Sequence, residues 1–213
     1  MAEFTIYPEF DGTLRALTWD GTSMQNAHDR LRAGDDNLQE HTTNGTLEAS
    51  YTLIDNSGEG YGFIYRPYLK FDTSVLSGEE PVSVDLVLTT QDVNNAPHGQ
   101  YVVAFNPTTT TQPVGTDEYD NYGSTSFAYY SITSIADTEY TISLNQGGID
   151  EVDPSGDTFY GIRHWRDFTD SCPTVDTGTD NDYYASEQAG TDKDPHLVVT
   201  TADGGGTGFM AMF

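Results

Sequence analysis

Val82-Ser83-Val84-Asp85-Leu86-Val87-Leu88-Thr89 sets Val82, Val84, Leu86 and Leu88 on one side of an extended chain. An apolar residue at every second position fits a strand with one buried face, and no helical period runs through it. The same reading extends outward to residues 47–54 and to residues 62–71, which carry Phe63, Tyr65, Tyr68, Leu69 and Phe71. Further strands are expected at 101–105, 126–132, 139–144, 158–163 and 196–201. Clusters such as Asp55-Asn56-Ser57-Gly58 and Asp153-Pro154-Ser155-Gly156-Asp157 separate them with turn chemistry. A helical face is expected only over residues 24–33, where Met24, Ala27 and Leu31 line up.

Many short strands with almost no helix between them predict two packed antiparallel sheets, an all-β, jelly-roll-like β-sandwich. A chain of 213 residues suits one such core. It is read as a single domain over residues 1–203, with a glycine-rich linker and apolar tail over 204–213. Residues 108–113 and 175–182 read as long exposed loops. The N-terminus has no basic and apolar leader pattern, and no apolar run reaches the roughly 18 residues of a membrane span, so neither an export signal nor membrane insertion is expected. Cys172 is the single cysteine and leaves no partner for an internal disulfide.

Charge narrows the reading further. There are 34 Asp and Glu against 8 Lys and Arg, a net charge of -26. Such an excess repels itself in dilute buffer, but near molar salt the Debye length falls to about 3 Å and the repulsion fades. Disorder is the competing account. Against it, 14 Tyr, 10 Phe and 2 Trp sit in alternating runs rather than in linkers. A salt-adapted folded protein is expected, and nucleic acid is ruled out as a partner because phosphates would meet like charge.

The stretch Tyr65-Arg66-Pro67-Tyr68-Leu69-Lys70-Phe71-Asp72-Thr73-Ser74 resembles the DNRLRE-type and disaggregatase-related jelly-roll domains of microbial surface and viral proteins. Three later segments are similar in the same order: residues 140–145, 156–163, and 184–187 leading into 195–200. The resemblance implies a fold like that of carbohydrate-binding modules, with no catalytic activity. It carries four charged positions, Arg66, Asp72, Arg163 and Glu187. They are expected in structural ion pairs, Arg163 with Glu187 first, because an arginine among strand residues needs its donors bonded.

Catalytic patterns are absent: there is no His-Glu-x-x-His, no Gly-x-Ser-x-Gly and no phosphate-binding loop. The histidines His28, His41, His98, His164 and His196 are dispersed along the chain and read as surface or capping residues. No cofactor is required; calcium is the one candidate. Asp176, Asp180, Asp182 and Glu187 occupy four spaced positions of a twelve-residue stretch, as oxygen ligands do in a calcium loop. Against that stands an ordinary acidic loop. Tyr119, Tyr122, Tyr129, Tyr130 and Trp165 are candidates for stacking on glycan rings, with core packing as the alternative. Phe209, Met210, Met212 and Phe213 end the chain as an apolar segment expected to dock on a neighbouring subunit.

Together these features lead to the expectation of a structural virion protein, a head decoration, turret, tail or fibre component of a tailed virus of a halophilic archaeon. Its partners would be other virion proteins, further copies of the chain and a host surface glycan. The alternative is a cell-surface carbohydrate-binding or adhesive module of a halophile. If the acidic excess is a salt adaptation, the melting temperature should rise steadily between about 0.1 and about 3 M KCl. A flat or falling series in calorimetry contradicts it.

Overall fold

In the computed structural model, residues 59–72 form one continuous strand in which every residue from Ile64 to Phe71 is buried. Burial on both faces explains why no simple alternation runs through Tyr65-Arg66-Pro67-Tyr68. The structure describes residues 1–34, 37–40, 45–56, 59–94, 97–108, 115–133, 135–186 and 192–202. Its strands are β1 (Ala2–Ile6), β2 (Pro8–Gly21), β3 (Gln39–Glu40), β4 (Thr46–Glu48), β5 (Tyr51–Asn56), β6 (Glu59–Asp72), β7 (Pro81–Asn94), β8 (His98–Phe105), β9 (Tyr122–Ile132), β10 (Glu139–Ser143), β11 (Asp157–His164), β12 (Thr177–Tyr184) and β13 (His196–Thr201). The helices are α1 (Met24–Ala33), α2 (Gln146–Asp150) and α3 (Trp165–Phe168).

All pairings among these strands are antiparallel. β6 pairs with β2 along one edge; along the other it pairs first with β5 and then with β11, and β8 and β9 extend the sheet from there. The second sheet contains β1, β13, β7 and β10. β12 belongs to both, with residues 177–179 on β5 and residues 180–183 on β7, where a bulge between Asp182 and Tyr183 re-aims the strand. The architecture is an antiparallel β-sandwich.

Two cores result. Leu69, Phe71, Val84, Leu86, Leu88, Val102, Tyr160, Ile162, Tyr183, Leu197 and Val199 fill the space between the sheets. Leu14, Ala16, Ile64, Tyr68 and Phe105 pack on the opposite face of the first sheet, against Ala27 and Leu31 of α1 and against Tyr119. That helix spans the expected residues, capped by Ser23, which accepts from Asn26 N at 3.1 Å, and closed by Gly34 in the left-handed region. It lies flush on the sheet because position 60 is glycine: a Cβ there would come within 2.6 Å of both Ala27 Cβ and Ser23 O.

Two long strands depart from the sequence reading. Residues 175–182 were expected as a loop, yet most of them enter β12. Its inward positions include Asn181 beside Tyr183, both fully buried, so the alternation is hidden by a polar residue on the core face. β2 escaped notice for a similar reason, since it buries Asp11, Thr13 and Thr18 among its apolar residues. Val82, expected inside with Val84, is 48% exposed at the outer end of β7.

The expected ion pairs are re-partnered. Arg66 and Arg163 both close on Asp167 of α3, which is fully buried. Arg66 donates from Nε and Nη2 at 2.9 and 2.7 Å, and Arg163 from Nε and Nη2 at 2.9 Å each. Arg66 also donates to Tyr119 O at 2.9 Å, and its guanidinium lies 4.0 Å from the centre of the Tyr119 ring. Asp72 takes no part; it is exposed and caps the turn at 73–76 by accepting from Ser74 N and Oγ. Glu187 lies outside the described residues. Burial disfavours the Asp167 anion, but the two guanidinium groups override that cost and hold the carboxyl far below the usual carboxylate range.

Asp167→Ala should strand two buried cations and lower stability by about 3 to 5 kcal/mol in denaturant unfolding. A triple replacement, Arg66→Met, Arg163→Met and Asp167→Leu, should recover much of that loss, because it leaves no unpaired charge. A near-neutral single variant would show that Asp167 is not the keystone.

Candidate functional site

The sequence-predicted glycan rings mostly turn inward. Tyr119, Tyr122 and Tyr130 are buried: Tyr119 lies under Arg66, Tyr122 donates to Arg66 O at 2.6 Å, and Tyr130 meets the Tyr183 hydroxyl at 2.9 Å. Trp165 is half-buried with the Arg166 guanidinium 4.4 Å from its ring centre. Tyr129 is 58% exposed and leans on Tyr101 at 4.9 Å.

A different set of rings, the exposed Trp19 with the half-buried Tyr61 and Phe63, forms the accessible aromatic face. In the first half of β6, Tyr61, Phe63 and Tyr65 alternate with Gly60, Gly62 and Ile64. Ile64 points to the α1 side, so the odd-numbered residues face the other way. Leu17 of β2 pairs with Phe63, and Ile54 of β5 pairs with Tyr61, which spreads this face over three adjacent strands. Trp19 of β2 completes it. Its indole is 63% exposed and lies 4.4 Å from the Tyr61 ring at an interplanar angle of 34°. Trp19, Ile54 and Tyr61 line a shallow hollow of about 270 Å³ with Asp55 and Glu59 at its rim. At the other end, Phe63 meets Tyr65 edge-on at 5.2 Å, and Arg15 donates to the Tyr65 hydroxyl at 2.9 Å. Sequence reasoning missed Trp19 and Tyr61. The usable signal was an apolar alternation at 61, 63 and 65 whose opposite positions include two glycines.

The acidic stretch is not a loop. Asp176 precedes β12 and accepts from Asp55 N at 2.8 Å. Asp180 and Asp182 share one side of the strand and gather with Glu48, ligand atoms within 4.8 Å of one another. An extended strand of about 3.3 Å per residue carries Asp176 well away from Asp182, so those two do not share one ion in the expected order. Glu187 and the terminal Phe209, Met210, Met212 and Phe213 lie outside the described residues.

Histidines separated in sequence converge instead. His28, His98 and His164 are buried; His41 lies outside the described residues. Tyr51 stacks on His164 at 5.2 Å and its hydroxyl lies 2.6 Å from His28 Nδ1, while the His98 and His164 rings are 5.6 Å apart. His164 caps α3: its Nδ1 accepts from Arg166 N at 3.2 Å, which leaves Nε2–H to meet Thr179 Oγ1 at 3.1 Å. This geometry uses the neutral ring. Desolvation, aided by nearby His98 and Arg166 and opposed by Asp167, pushes the His164 pKa down to about 3.

No family model matches the chain, and no curated protein matches it. Among solved structures, a cleaved adhesin domain of Lys-gingipain from Porphyromonas gingivalis aligns over 95% of this chain and 100% of its own, at 11% identity and a TM-score of 0.32. No activity transfers at that level of likeness. The resemblance drawn from the strand pattern at 65–74 therefore stands as that of an antiparallel β-sandwich, without a family.

The capping geometry of His164 has a pH signature. A folded-state pKa near 3 against an unfolded value near 6.5 means that the unfolded chain binds the extra proton between them. Stability from this group is complete above about pH 6.5 and should fall by up to about 1.4 kcal/mol per unit as pH drops toward 3. His164→Gln, which keeps an acceptor and a donor, should flatten the melting-temperature profile between about pH 6.5 and 4.5 relative to wild type. Parallel profiles would remove His164 from the acid response.

Proposed function

We propose that the chain is a surface-type binding module that recognises glycans on the Trp19–Tyr61 face, and that it binds rather than catalyses. The observation that carries this reading is the exposed indole packed beside a tyrosine on a rigid three-strand surface with Glu59 at its rim. Flat aromatic rings suit the apolar faces of pyranose rings, and Glu59 can accept from sugar hydroxyls. An excess of 34 acids over 8 bases disfavours anionic sugars, and Arg15, the base next to this face, is engaged with Tyr65 and Gln39. The ligand class that fits is a neutral or amino-sugar oligosaccharide. Adhesion of a cell-surface module and receptor contact by a virion component would both use such a face. The virion reading also draws on residues 209–213, which lie outside the described residues.

The chain has 2 tryptophans, Trp19 and Trp165, which makes fluorescence a direct readout. Neutral and amino-sugar oligosaccharides should shift the emission saturably, and Trp19→Ala should weaken binding at least about tenfold, a loss of about 1.4 kcal/mol or more. Trp165→Phe should bind like wild type. Binding that survives Trp19→Ala, or a panel in which only anionic glycans bind, would overturn the assignment.

A further inference from the structure

Among the described residues two clusters gather side chains of metal-ligand type, and the one that includes a histidine is formed by His28 and Asp29 of α1 and Asp170 just beyond α3. One ligand atom from each lies within 4.8 Å of the other two. His28 is fully buried, and its ring is held by the Tyr51 hydroxyl at Nδ1, so that Nε2 faces Asp170 Oδ1 at 3.2 Å. A hydrogen bond on the remote ring nitrogen is how ligating imidazoles are oriented and kept in one tautomer. Nε2–H can donate to Asp170 Oδ1; with an ion bound, the proton would instead sit on Nδ1 and be donated to Tyr51, and the Nε2 lone pair would face the ion. Asp29 and Asp170 are exposed, and the ligand atoms of the three residues already lie within 4.8 Å of one another, near the spacing of donors about 2.0 to 2.2 Å from a common centre.

Both carboxylates have further partners. Arg32 Nη1 lies 2.7 Å from Asp170 Oδ1, and Arg32 Nε is anchored on Asp167 O at 2.9 Å. Gln25 donates to Asp29 Oδ1 at 2.7 Å. Two carboxylates, one guanidinium and a neutral imidazole leave a single net negative charge, which a divalent ion converts to a single positive one. Calcium and magnesium prefer all-oxygen shells, whereas one imidazole nitrogen with carboxylate oxygens suits zinc and its neighbours. We propose that His28, Asp29 and Asp170 form a site for a divalent transition-metal ion of the zinc class, with Tyr51 as the outer partner of His28 and water in the open positions. The ion would clamp α1 to the turn after α3.

The test uses the full chain, treated with chelator and dialysed into about 1 M KCl, where diffuse attraction to the acidic surface is screened. Titration with Zn2+ by calorimetry should give one equivalent bound and a raised melting temperature. Co2+ in its place should give a visible absorption band stronger than that of the aqueous ion. The exposed variants Asp29→Ala and Asp170→Ala should each weaken binding at least about tenfold, and Tyr51→Phe by about 10- to 100-fold. Asp180→Ala, in the separate Glu48, Asp180 and Asp182 group, should bind like wild type. Absence of a stoichiometric phase, an isotherm unchanged in Asp170→Ala, or binding lost in Asp180→Ala overturns the proposal.

Discussion

The fork of Arg66 and Arg163 around Asp167 is the contact on which the first sheet and its helical layer depend. It sits where β5 stops pairing with β6 and β11 begins, on either side of Pro67, which has no N–H to offer a ladder. At that gap the sheet is joined by charge-assisted bonds instead of backbone bonds. The same network reaches outward, since Arg66 binds Tyr119 O and Arg32 O while Arg32 binds Asp167 O. α1, the turn at 116–121 and α3 are thereby fastened to one buried carboxylate. A buried triad of this kind contributes little net stability over an apolar replacement, but it allows only one arrangement of the elements around it.

β6 links this scaffold to the proposed binding face. Its later residues Leu69 and Phe71 lie under the second sheet, whereas Tyr61 and Phe63, on the same side of the strand, are only partly covered. The back of that overhang is packed against α1, with Gly60 letting the helix come close. Rings carried on a sheet stiffened from behind lose little freedom when a ligand stacks on them, which favours recognition by a flat surface over recognition by loops.

Much of the fold was legible because its strands follow the rule of one apolar and one polar face. β10, β13 and the outer part of β7 are of this kind, α1 matches the expected residues, and β8 and β11, though buried on both faces, stand out as short apolar runs. β2 and β12 were obscured by buried Thr13, Thr18 and Asn181, polar residues on positions that alternation reserves for apolar ones. The site was harder to read. Aromatic residues serve core and ligand equally well, and Tyr119 and Tyr61 look alike until the path of α1 and the reach of the second sheet are known. The pairing of Arg163 with Asp167, four residues away, was masked because the turn from β11 into α3 carries no long apolar period.

The placement of the cations has a consequence for how the chain meets proteases. Of the 8 Lys and Arg residues, Arg15, Arg66, Lys70 and Arg163 lie within β-strands and Arg30, Arg32 and Arg166 within helices. Lys193 is tied to Asp137 at 2.7 Å. Proteases that cut after basic residues need a stretch of backbone free to extend into their active site, and exposed loop tips are where chains normally supply it. In this chain, bases are scarce and seven of them are locked in regular structure, while the loops are written in Asp, Asn, Ser, Thr and Gly. A chain with so few bases, nearly all in regular structure, is thus shielded from trypsin-like digestion.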